Sequence, residues 1–220
     1  MRLHHPLLVA FFLTALVDLG CLAAGYDPGH MVAKPLLMPL LAAHAALRGA
    51  PRLLLAALLC GWGGDVLLLS GAEPAFLAGM ASFAAGHVCY LVLFTTYGRP
   101  HGHRAFLLAC YAVLLVNTVA VLWPGLPAGL RVPVAGYSLL LTVMAYRAGT
   151  RFGRTAGTGG ALFMLSDTLI ATGVADWPQP PRPDLWVMLT YIAAQFLLVS
   201  GTLKALDARP PVARTYGEAR

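Results

Sequence analysis

Apolar runs of span length recur along this chain, and nearly every one ends at a proline or glycine. The breaks fall at Asp27-Pro28-Gly29, Gly49-Ala50-Pro51, Gly71 to Pro74, Gly98 to Pro100, Pro124 to Pro127 and Pro178 to Pro183, residue types that punctuate turns. Lipid cannot satisfy backbone polar groups, so only helices or closed barrels cross it. Continuous apolar runs, as opposed to short alternating ones, select helices. With about 20 apolar residues needed per crossing, the runs predict spans near 6–24, 34–47, 52–70, 75–97, 104–123, 132–148, 157–175 and 185–203. Composition agrees: 11% of the residues are charged and 59% are hydrophobic, where a soluble domain carries about 25% charge. The mean hydropathy is +0.73. The expected fold is all-α, a polytopic bundle of eight transmembrane helices forming one domain over residues 1–206. A disordered cytoplasmic tail is expected over 207–220.

The basic residues test this arrangement. With the N-terminus inside, cytoplasmic segments hold 12 of the 15 Lys and Arg residues, and only Lys34, Arg131 and Arg182 fall on the other side. The positive-inside rule then requires an even number of spans with both termini cytoplasmic. Topology thus accounts for the net charge of +6, and no nucleic-acid binding is read from it. Leu22-Ala23-Ala24 resembles a signal-peptide cleavage site, but Asp18 inside the apolar region does not suit one, so the first run is read as a true span. Cys21, Cys60, Cys89 and Cys110 lie within spans at unrelated spacings and read as buried, inert thiols.

Charge inside a membrane is costly, by about 2.5–3.5 kcal/mol or more at its centre. Asp65 shares a helical face with Gly61, Gly64 and Leu68, and small residues there let a neighbouring helix come close. Asp167 follows Ser166, with Gly160 and Phe163 on its face. His87 lies on a face with Phe83 and Tyr90. Each of these residues can act as hydrogen-bonding glue between helices, but two mid-span acids in one small bundle favour a site. Lys34-Pro35 opens the second span, with Asp18 as the expected counter-charge of Lys34. Tyr191 and Gln195 lie one turn apart in the last span. Asn117 reads as structural, and His101 and His103 as loop residues. The two halves echo each other: a Pro-containing span (Pro35, Pro133), a span with a central Asp, then a span with a polar centre (His87, Gln195).

Lys34-Pro35, Gly64-Asp65-Val66-Leu67-Leu68, Phe83-Ala84-Ala85-Gly86-His87-Val88-Cys89-Tyr90, Gly160 through Asp167 and Tyr191-Ile192-Ala193-Ala194-Gln195 together resemble the YhhN family of integral membrane proteins, which includes lysoplasmalogenases. The resemblance runs in order from about residue 30 to 203. It implies hydrolysis of the vinyl-ether bond of a lysophospholipid substrate, giving a fatty aldehyde and a glycerophospho-head group. It implies no metal or organic cofactor, and it makes Asp65 and Asp167 the catalytic pair. His87, Lys34, Tyr90, Ser166, Tyr191 and Gln195 are the supporting candidates. Richness in Ala, Leu, Arg and Pro suggests a GC-rich bacterium, hence an inner-membrane location.

The residue chemistry suits that activity. Vinyl ethers resist bases and nucleophiles, but acid opens them: protonation of the β-carbon gives an oxocarbenium ion, water adds, and the hemiacetal collapses. Burial disfavours the charged form of a carboxyl, and a second carboxylate nearby disfavours it further. One Asp can then be the acid while its ionised partner stabilises positive charge, much as paired carboxylates act at glycosidic bonds. Which Asp is the acid stays open at this point. A proton-coupled transporter uses the same intramembrane residues, although no pair of broken helices marks a carrier site. Asp65, His87 and Asp167 as zinc ligands form a third variant, without a metal-binding signature to support it.

Overall fold

The computed structural model describes residues 4–99 and 104–208, and over these the chain is helical and without strands. Eight helices run in order: α1 (His4–Ala24), α2 (Asp27–Leu47), α3 (Arg52–Leu68), α4 (Glu73–Tyr97), α5 (Arg104–Leu122), α6 (Ala128–Phe152), α7 (Arg154–Val174) and α8 (Pro183–Asp207). Most of the expected tail, together with His101 and His103, lies outside the described residues.

Several helices begin earlier than the sequence predicts, α2 and α6 by the most. The apolar runs start the second and sixth spans at Lys34 and Val132, each beside a proline. Instead α2 opens at Asp27 and carries Pro35 and Pro39 inside it, while α6 opens at Ala128 with Pro133 inside. In a membrane helix the groups a proline leaves unsatisfied can be answered by a neighbouring helix, and α2 shows how. Pro39 has no N–H to give the Pro35 carbonyl four residues back. The indole N–H of Trp62, on α3, donates to that carbonyl at 2.9 Å.

Seven of the helices close a ring: α1 on α2, α2 on α3, α3 on α4, α4 on α6, α6 on α7, α7 on α8, and α8 back on α1. Helix α5 stands outside, touching α6 and α7, with Phe106 and Val116 bare on its surface. The most extensive packing joins α3 to α4 and α7 to α8, equivalent pairs in the two halves that the sequence echoes. Six helices are long and apolar enough to cross a membrane. The other two are α3 and α7, which carry Asp65 and Asp167. Helix α3 has 17 residues, and α7 is diluted by Gly, Thr, Ser and Asp. Both are packed between two ring neighbours, so neither needs an apolar surface all round.

Close approach at these helices depends on glycine. A Cβ at Gly64 would stand 2.4 Å from the Phe83 ring, and one at Gly160 would stand 2.7 Å from the Ala145 backbone. The four cysteines are unpaired, but the reading of them as buried fails: Cys21, Cys60 and Cys89 are half-buried, and Cys110 is exposed on the outlying α5. Asn117 donates to the Val113 carbonyl of its own helix at 2.9 Å, a structural role as expected.

Candidate active site

Asp65 sits near the end of α3, almost fully buried. The Tyr191 hydroxyl on α8 donates to its Oδ2 at 2.8 Å. A chain of polar groups continues along α8: Gln195 Nε2 donates to the Tyr191 oxygen at 3.3 Å, and the Tyr90 hydroxyl of α4 donates to Gln195 Oε1 at 2.9 Å. Gly61, one turn before Asp65, makes room for this chain, since a Cβ there would meet Gln195 Nε2 at 3.1 Å and the Tyr191 hydroxyl at 3.2 Å. Lys34 on α2 lies within electrostatic reach of Asp65, as do Asp18 and His30. The expected Asp18–Lys34 pairing gives way to another: Asp18 Oδ1 contacts His30 Nδ1 at 2.8 Å. His30 and Lys34 are one turn apart on α2, and the imidazole is the one that reaches the fully buried Asp18.

Asp167 sits in a second polar group. The Tyr137 hydroxyl, on α6, donates to Asp167 Oδ2, and His87 Nε2 on α4 lies 3.0 Å from the same hydroxyl oxygen. A hydroxyl has one proton to give. When Tyr137 gives it to Asp167, His87 contributes its own from Nε2, and its buried Nδ1 is left without a partner.

The two acids share no hydrogen bond among the described residues, yet Asp65 lies within electrostatic reach of Asp167. Between their networks stands a cluster of rings. Phe163 packs edge-on against His87 (4.8 Å between centroids), Tyr191 (5.4 Å) and Phe83 (6.1 Å), and Phe83 packs edge-on against Tyr191 at 5.9 Å. Ring edges carry partial positive charge and ring faces partial negative charge, which favours the edge-on contacts of this cluster.

The Asp167 network opens to a cavity. Asp167 and Tyr137 line a space of about 80 Å³ walled by Leu68, Phe76, Met80, Leu141 and Met164. That is room for several waters. Asp65, Tyr191, Gln195 and Tyr90 do not line it, and neither does Lys34. Ser166 is turned away from Asp167, with its hydroxyl donating to the Val187 carbonyl of α8 at 3.0 Å. Among the described residues no three His, Cys, Asp or Glu side chains gather as a metal-ligand set. Tyr137 and His30 escaped the sequence reading. The available signal for Tyr137 was a phenol inside an apolar run, three residues before Leu140, which looks like any amphipathic ring in a membrane helix.

Residues 29–202 match the YhhN family. The chain belongs to that family. Among its YhhN-type relatives, human lysoplasmalogenase TMEM86B is 36% identical over 167 residues, covering 76% of this chain and 68% of its own length. The pig (Sus scrofa) lysoplasmalogenase TMEM86B is 37% identical, over 70% of this chain and 65% of its own. The bovine lysoplasmalogenase TMEM86A is 34% identical, over 68% of this chain and 63% of its own. The chain thus spans about two thirds of the length of these relatives. No solved structure matches it. With its apolar, span-length helices, this YhhN member is a multi-pass membrane protein.

Proposed function

We propose that this YhhN protein is a membrane-embedded lysoplasmalogenase in which Asp167 is the general acid. The observation that carries the reading is the position of Asp167: a carboxyl on the wall of an apolar cavity, held by Tyr137. The names of its relatives support the same reading. Asp167 gives its proton to the β-carbon of the vinyl ether, and the electron pair of the double bond forms the new C–H bond. The ether oxygen shares the resulting positive charge as an oxocarbenium ion. Water adds to the α-carbon and returns a proton to Asp167. The hemiacetal then loses its ether oxygen as the alcohol of a glycerophospho-head group, choline or ethanolamine, and leaves a fatty aldehyde. No metal or organic cofactor takes part.

Asp65 serves as the anionic partner, its charge stabilising the cation across the aromatic cluster, with Lys34 within electrostatic reach as its counter-charge. Tyr137 and His87 follow Asp167 between its two forms. A hydroxyl can donate or accept, and an imidazole nitrogen does either according to tautomer. In this reading α3 and α7 cross the membrane with the other six helices, both termini face the cytoplasm of a bacterial cell, and the substrate tail enters from the bilayer. Incubating the purified protein with lysoplasmalogen should release free aldehyde, and Asp167→Asn should abolish it. A wild-type protein that releases no aldehyde would sink the proposal.

One observation favours a second reading. Asp18, His30, Lys34 and Asp65 form a charge group inside the membrane that hydrolysis uses only in part, and such groups relay protons in carriers. Substrate flux into proteoliposomes without bond cleavage would select that reading.

A further inference from the structure

The far end of α8 holds a second, half-open cavity of about 340 Å³, between the first turns of α1 and the last turns of α2 and α8. None of its lining residues belongs to the acid network, although Phe196 on its wall follows Gln195 directly on α8. Its wall is arranged by depth. His44 on α2 stands one turn before Arg48, which caps the end of that helix, Ser200 and Lys204 stand one turn apart on α8, and Leu8, Phe196 and Leu203 supply apolar surface. His44 is buried, whereas Arg48 and Lys204 reach the exposed rim. The acid on the wall is Asp207, whose Oδ2 takes a hydrogen bond from Arg48 at 2.8 Å.

Basic residues at helix C-termini counter the helix dipole, and the positive-inside rule places them at this end of the bundle. Those effects explain charge on the rim. They do not explain a cavity in which two permanent cations share a wall with two imidazoles (His5 and His44), a hydroxyl and apolar side chains. Among the described residues of the wall, one carboxylate stands against two permanent cations, an excess of positive charge. A cationic head group would be repelled there, whereas a phosphate would find two donors at the rim and its hydrocarbon an apolar surface below. Basic pockets between membrane helices hold anionic head groups in this way.

We propose that this cavity binds the phosphate of an anionic phospholipid, with Arg48 and Lys204 as its cationic ligands and the Arg48–Asp207 pair as a competing internal contact. Free phosphate offers the same chemistry, so the test must separate the two sources. Native mass spectrometry of the full-length protein in detergent, with phosphatidylglycerol and phosphatidylcholine of identical chains, reads the preference directly. Retention of phosphatidylglycerol should exceed that of phosphatidylcholine by about fivefold, the scale expected for one uncompensated cation near a membrane surface. The double variant Arg48→Gln, Lys204→Gln should fall to parity while keeping a cooperative thermal unfolding transition. Asp207→Asn, which releases Arg48, should raise retention several-fold. Inorganic phosphate that displaces phosphatidylglycerol at millimolar concentration would assign the site to phosphate from either source, and failure to displace it would assign the site to the lipid. Parity in the wild type, or a preference untouched by the double variant, would overturn the proposal.

Discussion

Tyr137 gives its hydroxyl proton to Asp167 and stands 3.0 Å from His87 Nε2. One phenol thereby ties together helices α4, α6 and α7 at the acid that faces the cavity. Replacing it with phenylalanine keeps the ring and deletes both hydrogen bonds, leaving Asp167 and His87 unsatisfied. An unsatisfied buried partner costs about 1–3 kcal/mol. Tyr137→Phe should therefore lower kcat by about 10- to 100-fold, with KM little changed because the cavity keeps its shape. Steady-state aldehyde release checks this, and an unchanged kcat would remove Tyr137 from the mechanism.

The two acids should respond unequally. Loss of a general acid typically costs about 10²–10⁴ in rate, so Asp167→Asn should fall at least that far. Asp65 stands off the cavity, bonded to Tyr191 at 2.8 Å, and acts through its charge. Asp65→Asn should lower kcat by a smaller factor, about tenfold to a hundredfold on the scale of one lost electrostatic stabiliser. Equal losses from the two variants would contradict the division of roles.

The ring cluster between the acids should be sensitive to one methyl group. A Cβ at Gly64 would come within 2.4 to 2.8 Å of Phe83 ring atoms, and Phe83 in turn packs against Phe163 and Tyr191. Overpacking of this kind costs about 1–3 kcal/mol. Gly64→Ala should lower the thermal midpoint in detergent and depress kcat together, because the displaced ring pushes on the hydroxyl that holds Asp65.

Trp62 and Pro39 should be coupled although neither touches a reacting group. Trp62→Phe orphans the Pro35 carbonyl and should destabilise the protein by about 1–3 kcal/mol. In a Pro39→Ala background the helix supplies its own N–H, so the same Trp62 substitution should cost much less. A double-mutant cycle of unfolding free energies measures the difference. Additive losses would mean that the indole contributes packing alone.

An even number of spans makes opposite statements about two loops. With the N-terminus inside, a cysteine at Ala50 should be labelled by an impermeant reagent only after cells are opened, and one at Ala72 should be labelled in intact cells. Both substitutions belong in a background without the four native cysteines. The reverse pattern would invert the bundle, and labelling of both in intact cells would break the even-span topology.

Run length, charge scarcity and the placement of basic residues were enough to establish a helical membrane protein and to single out Asp65 and Asp167. Those properties depend on composition and on order along one chain, and lipid imposes them wherever the helices pack. The ring closed by α1 and α8, with α5 left outside it, was not legible. Nor were the bonds that reach 30 residues from Tyr137 to Asp167 and 126 residues from Asp65 to Tyr191. In water a helix advertises its buried face by an apolar stripe. In lipid both faces are apolar, because hydrocarbon outside is no more polar than the core, so the sequence carries no periodic sign of which helix meets which. Small residues and the geometry of close approach decide that instead. The same packing set Asp167 on a cavity and Asp65 behind a wall of rings, although in sequence the two look alike.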